Sequence, residues 1–141
     1  DGSFDPKEIK IILNLLKDNN LDFIFGSRYQ KNSGSEDDTI ITLVGNYIFT
    51  TIGKIFFKLK ITDILYTFVL GRTNKAKQLN LTQKDFSFCV ELPIKAGRNN
   101  MKMSSISCYE RKRIAGQKKV NAFKDGLKIL LHMIRLFFSN K

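Results

Sequence analysis

The stretch from Asp5 to Ser27 constrains the fold more than any other, because it reads as a capped helix followed closely by an apolar strand. Asp5 suits an N-cap, Pro6 the first helical position, and Glu8 completes a capping-box pattern. Ile9, Ile12, Leu13 and Leu16 then fall on one helical face, which ends at Lys17-Asp18-Asn19-Asn20. Leu21 to Phe25 reads as a short strand, stopped by Gly26-Ser27-Arg28-Tyr29. A helix joined so closely to a strand is half of a βαβ unit, and it predicts an α/β sheet. An acidic loop such as Asp1-Gly2-Ser3 normally leaves a buried strand, so the chain is expected to be the later part of a longer domain.

Further along, Gln30 to Asp38 is polar, carries Gly34 and the run Glu36-Asp37-Asp38, and is expected to be a mobile loop. Thr39 to Lys60 is strongly apolar, and its length favours a helix or a helix pair despite Gly45 and Gly53. Ile64 to Leu70 is expected to be extended, and a polar helix is expected around Asn74 to Leu79. Phe88 to Lys95 reads as a helix despite Pro93, and Met101 to Tyr109 as a strand. Glu110 to Lys119 is a basic loop around Gly116.

The last segment, Asn121 to Ser139, is amphipathic. At about 100° per residue, Lys124, Lys128, His132 and Arg135 share one face, with Phe123, Leu130, Met133 and Phe137 roughly opposite. Leu127, Ile129, Ile134 and Leu136 widen the apolar arc. Such a wide arc suits a helix lying in a membrane interface, and a C-terminal helix docked on the core is the other reading. His132, on the cationic side, is expected to be solvated or at headgroup level.

A formal charge of +11 calls for an anionic partner, whether nucleic acid, an acidic lipid surface or phosphorylated small molecules. An apolar share of 43% excludes disorder. Cys89 and Cys108 lack metal-ligand spacing and read as buried, reduced thiols in a reducing compartment. No signal peptide is visible, and no uncharged apolar run approaches the roughly 20 residues of a spanning helix.

Three charged places could carry chemistry. Asp1 with Ser3 offers hard oxygen ligands for Mg²⁺ or Mn²⁺, especially alongside substrate phosphates. Arg28 follows a strand. The cluster Arg111, Lys112, Arg113, Lys118 and Lys119 around Gly116 suits closure over a diphosphate. Asp63 and Glu91 are available either as general bases or as structural ion-pair partners. No Ser/His/Asp or Cys/His set and no Walker-type loop is present.

The order of these pieces resembles the family 2 glycosyltransferases, in particular the dolichyl- or polyprenyl-phosphate sugar transferase branch. Asp1-Gly2-Ser3 is similar to the end of that family's Asp-x-Asp metal motif, and Gly26-Ser27-Arg28-Tyr29 to the segment closing its next strand. The likeness continues through Gly45-Asn46, Thr62-Asp63 with Phe68, and Phe88-Cys89-Val90-Glu91-Leu92. It ends at Arg113-Ile114-Ala115-Gly116-Gln117-Lys118-Lys119, similar to the family's Arg-x-x-Gly-x-Ser-Lys loop. The resemblance implies a GT-A-like, Rossmann-like mixed sheet flanked by helices, with the N-terminal nucleotide-binding half missing. It implies metal ligation by Asp1 and Ser3. Arg28, Arg113, Lys118 and Lys119 would contact donor diphosphate or acceptor phosphate, and Asp63 and Glu91 would lie on the acceptor side.

The activity so implied transfers a sugar from a nucleotide-diphosphate sugar to a polyprenyl phosphate or a glycan, at the cytoplasmic face of an anionic membrane. The isolated chain is expected to be inactive. Residues 1–120 would belong to the transferase domain and 121–141 to the interfacial helix. The chain departs from the family at Val44, where an arginine is frequent, at Thr67-Phe68-Val69 in place of Gly-Phe-Arg, and at Lys118 in place of serine. An inactive membrane-surface scaffold of the same fold and a basic nucleic-acid-binding module are the alternatives; no RNP-like strand or helix-turn-helix signature favours the latter.

Overall fold

The computed structural model describes residues 2–116 and 120–139, so Asp1, Lys118 and Lys119 lie outside the described residues. Helix α1 (Pro6–Asp18) starts where expected, with the Asp5 carboxylate accepting from the Lys7 amide. Strand β1 (Phe23–Ser27) begins and ends two residues later than the sequence pattern indicates. The pattern reads Gly26 as a stop, but the strand continues through it. A Cβ there would stand 3.1 Å from Cys108 Sγ, from the Phe68 carbonyl and from the Tyr66 ring. Gly26 is a close-packing position inside the strand rather than a turn.

The stretch expected to be a mobile polar loop carries β2 (Gly34–Ser35). The apolar stretch forms a single helix, α2 (Ile40–Phe57), capped by Thr39, whose hydroxyl accepts from the Thr42 amide while its own amide donates to the Thr42 hydroxyl. Strand β3 (Val69–Gly71) takes up only the end of the segment expected to be extended. Helices α3 (Thr73–Gln78) and α4 (Phe88–Arg98) follow, α4 containing Pro93. The single expected strand at Met101–Tyr109 is divided into β4 (Met103–Ser107) and β5 (Tyr109–Glu110), and α5 (Ala122–Phe138) closes the described chain.

The protein is α/β, with a small mixed sheet flanked by helices. The sheet order is β3-β1-β4, and β2 pairs separately with β5. β1 runs antiparallel to β3 and parallel to β4, with Phe23 opposite Gly71 on one side and Met103 on the other. Alternation along β1 sorts its side chains between two layers. Phe23 and Phe25 join the larger core, which includes Val90 and Ile94 of α4 and Ile129, Met133 and Leu136 of α5. Ile24 points the other way and packs with Ile12 and Leu16 of α1.

A Cβ at Gly71 would lie 2.3 Å from Cδ1 of Phe23, a fully buried ring. The Gly71→Ala substitution is expected to destabilise the chain by roughly 1–3 kcal/mol through this overpacking, read as a lower urea midpoint with an unchanged slope.

Two helices are turned in ways their sequences do not suggest. The buried residues of α2 are Asn46, Thr50 and Gly53, while Ile40, Ile41, Tyr47, Ile48, Ile55 and Phe56 are exposed. Asn46 donates from Nδ2 to Asp63 Oδ1 and accepts at Oδ1 from the Leu65 amide, and Thr50 Oγ1 accepts from the Ile64 amide. Residues 63–65 thus bind the helix through its polar stripe, leaving its apolar side outward. By length and composition α2 could cross a membrane; Lys54 interrupts the uncharged run sought in the sequence.

Helix α5 buries Ile129, His132, Met133 and Leu136, while Phe123, Leu127, Leu131, Ile134 and Phe138 remain exposed. This corrects the placement of His132, which is buried against the core, with Nε2 lacking a hydrogen-bond partner among the described residues. The helix is therefore both docked on the core and apolar on its outer side. The Arg98 guanidinium of α4 bonds the Leu136 carbonyl and Ser139, tying down the C-terminal end of α5.

Candidate functional site

A cavity of about 590 Å³ opens between α2, the start of α5 and the segment around Tyr66. Its apolar wall includes Ile41, Val44, Ile48 and Phe49 from α2 and Phe123 from α5. Its polar end brings together Ser3, Arg28, Asp37, Asp38, Glu110 and Arg113.

Arg28 organises that end. The chain leaves β1 at Ser27, so Arg28 stands at the strand's C-terminal rim. Its amide and Nε donate to Asp63 Oδ2 at 3.1 and 2.8 Å, and Nη2 donates to Oδ1 at 3.1 Å. Nη1 donates to Glu110 Oε2 at 3.2 Å and lies 3.6 Å from Asp38 Oδ2. The guanidinium also sits 4.6 Å from the Tyr66 ring centroid and 5.3 Å from that of Tyr29. Burial opposes its charge, but the hydrogen bonds and charge of Asp63 hold its pKa above the ordinary guanidinium value.

Asp63 is fully buried. With three bonds from Arg28 and one from Asn46, its two oxygens have no lone pair turned toward the cavity. It pairs with Arg28 and aims it, an arrangement of the ion-pair kind that is one of the two readings of this residue. Glu91 is also buried but does not line the cavity. It accepts from the amides of Thr82 and Gln83, from Thr82 Oγ1 and from Lys95, fixing the turn that precedes α4. Burial would raise its pKa, but these donors depress it to about 2.

The glycine turn at the start and the basic loop meet at the rim. The Arg111 amide donates to the Ser3 carbonyl at 3.0 Å, and its guanidinium pairs with Asp5. Gly2 has φ +80°, and a Cβ there would stand 2.7 Å from Cδ1 of Ile114. The β2–β5 pair sets Ser35 opposite Glu110, and Ser35 Oγ donates to Glu110 Oε2 at 2.6 Å. Arg113 Nε bonds Asp37, while Glu36 accepts from the Lys112 amide and from Tyr109 Oη. The supposed mobile loop is fastened to the basic loop through these bonds.

Of the residues singled out in the sequence, the structure thus gathers Ser3, Arg28, Asp63 and Arg113, and sets Glu91 apart. Ser3 supplies one hydroxyl at the cavity wall. Among the described residues, no group of three His, Cys, Asp or Glu side chains could hold a metal ion; Asp1 lies outside them. Both cysteines are unpaired and buried, and burial pushes each thiol up to about 12.

Asn46 stands in the sequence reading only within the Gly45-Asn46 likeness, with no role of its own, and Asp38 and Glu110 carry no site role there. A polar amide in the middle of an apolar helix was the available signal for Asn46, since a buried amide requires partners. Neither a protein-family model nor a curated protein matches the chain.

Proposed function

We propose that the chain belongs to a family 2 glycosyltransferase of the GT-A type, acting at a membrane surface. One observation carries the reading: Gly2-Ser3 and the Arg111–Gly116 loop are fastened to each other at the rim of a cavity whose polar end holds Arg28. Two motifs more than a hundred positions apart in the chain meet at the rim of one cavity, which supports a diphosphate site there. The apolar wall formed by α2 and Phe123 offers a place for the chain of a lipid-phosphate acceptor, and a membrane-bound glycan is the other acceptor considered.

In this reading Arg113, Lys118 and Lys119 hold the diphosphate, and Arg28 attracts the acceptor's charge. Asp63 and Asn46 orient Arg28. A phosphate acceptor is already ionised and needs no base. Mg²⁺ or Mn²⁺, if bound through Asp1, would neutralise charge on the departing diphosphate. The exposed apolar residues of α2 and α5, within a chain of charge +11, support docking on an anionic cytoplasmic leaflet.

The test is sugar transfer from nucleotide-diphosphate sugars by the full-length protein with Mg²⁺ or Mn²⁺. Transfer is expected to fall at least about a hundredfold in both Arg113→Ala and Asp1→Ala. Undiminished transfer in Asp1→Ala would remove the metal assignment. A second reading, a membrane-surface scaffold without catalysis, is favoured by the protein carboxylates surrounding Arg28. Binding to anionic liposomes without sugar transfer would select it.

A further inference from the structure

Nη1 is the Arg28 nitrogen that faces the carboxylates lining the cavity. Nε and Nη2 are committed to the fully buried Asp63, whereas Nη1 lies between Glu110 and Asp38, both of which line the cavity. These two carboxylates are held differently. Asp38 receives the hydroxyls of Tyr29 and of Thr42 in α2, so it is pinned to a helix. Glu110 receives one hydroxyl, from Ser35, and is the last residue of β5, just before an irregular basic stretch. Of the two, Glu110 is the carboxylate that can leave.

We infer that Glu110 is a specificity-determining residue that acts as a resident anion on Arg28. A ligand phosphate reaches Nη1 only by displacing it. A small anion has nothing to offset that displacement, because the charge it brings replaces a charge already present. A phosphate attached to an apolar chain, or to a second phosphate, gains further contacts along the α2 wall or at Arg113. Glu110 therefore biases the site against free phosphate and toward larger phosphorylated ligands. The inference rests on the proposed reading of Arg28 as the cation that meets substrate phosphate.

The test is calorimetric binding of inorganic phosphate, with no donor and no transfer step, to the full-length protein. Its variants Glu110→Gln and Asp18→Asn are compared, the latter making the same change of charge at the end of α1. Glu110→Gln is expected to bind phosphate about tenfold more tightly than the parent protein, and Asp18→Asn to bind it unchanged. Loss of a buried carboxylate that served only structure would not increase affinity.

Equal affinities in Glu110→Gln and Asp18→Asn, weaker binding in Glu110→Gln, or no binding by any of the three overturns the inference. If Glu110→Gln lacks a cooperative melt, Glu110→Asp keeps the charge on a shorter arm. It is expected to tighten phosphate binding about twofold to threefold, and unchanged or weaker binding is then the overturning result. Tightening without any sugar transfer would keep the resident-anion role while sinking the transferase reading. Transfer without tightening would do the reverse.

Discussion

Replacing Asp63 by alanine is expected to cost roughly 3–5 kcal/mol, the range for removing one partner of a buried ion pair. The magnitude follows from what the carboxylate leaves behind. Arg28 would lose three hydrogen bonds to its guanidinium and amide, and Asn46 the acceptor for its Nδ2. All of these groups lie at the junction of β1, α2 and the segment around residue 64, where a water entering from the cavity would replace a charged acceptor by a neutral one. The companion variant Arg28→Met is expected to cost at least as much as Asp63→Ala, because Asp63, Asp38 and Glu110 are then left close together without their shared counter-ion. In Asp63→Ala, by contrast, Arg28 keeps Glu110 and Asp38.

In the double variant the two losses should fall well short of adding, since they remove one interaction. Urea unfolding of the four proteins measures this directly. Additive losses would mean that Asp63 is held mainly by Asn46, and Arg28 would then be free to turn toward a ligand without cost to the fold.

The contrast between this cluster and the helices explains what the sequence could convey. Helix α1 was legible because its information is local: Asp5 caps, Pro6 starts, and Ile12 and Leu16 recur at helical spacing on the buried side, although Ile9 and Leu13, assigned to the same face, are exposed. The extent of β1 was not, because the role of Gly26 depends on Cys108, Phe68 and Tyr66 crossing it from elsewhere. For α2 the usual rule was inverted. Composition marked a helix, but only the partners at residues 63–65 decide that Asn46 and Thr50 face inward.

The candidate site shows the same division. Arg28, Asp63, Ser3 and Arg113 were visible as charged or oxygen-bearing groups in motif-like settings. That Arg28 and Asp63 bind each other across 35 positions was not visible, nor was the capture of Glu110 by the same guanidinium. Residue types survive in a sequence pattern. Pairings between distant segments do not, because several registers of β2 against β5 would satisfy the same local preferences.

Acidification is expected to remove stability in two separate steps, the upper from His132 and the lower in part from Glu91. The His132 pKa lies below its ordinary 6.5, first because burial disfavours the imidazolium. Arg135 and Lys95 push it the same way, while Glu91 and Asp85 oppose them. A histidine whose pKa is lower when folded binds its proton more readily unfolded. Its contribution is complete above about pH 6.5 and is lost as the pH falls from there toward the folded value.

Glu91 acts lower on the scale. Depressed from 4.5 to about 2, it contributes fully above about pH 4.5 and loses that contribution as the pH falls toward 2. In urea unfolding at stepped pH, His132→Leu should abolish the upper step while leaving the lower one, because leucine fills the site and has no proton to take up. Glu91→Gln should reduce the lower step, to which Asp5, Glu36 and Asp85, also held below the ordinary carboxylate range by their hydrogen bonds, contribute. It should also cost roughly 3 kcal/mol near neutrality, since the Thr82 and Gln83 amides and Lys95 lose their charged acceptor. Superimposable profiles for the parent and His132→Leu between about pH 7 and 5 would show that His132 takes up its proton equally well in the folded and unfolded chain. The charge state of the imidazole would then have no part in holding the helix.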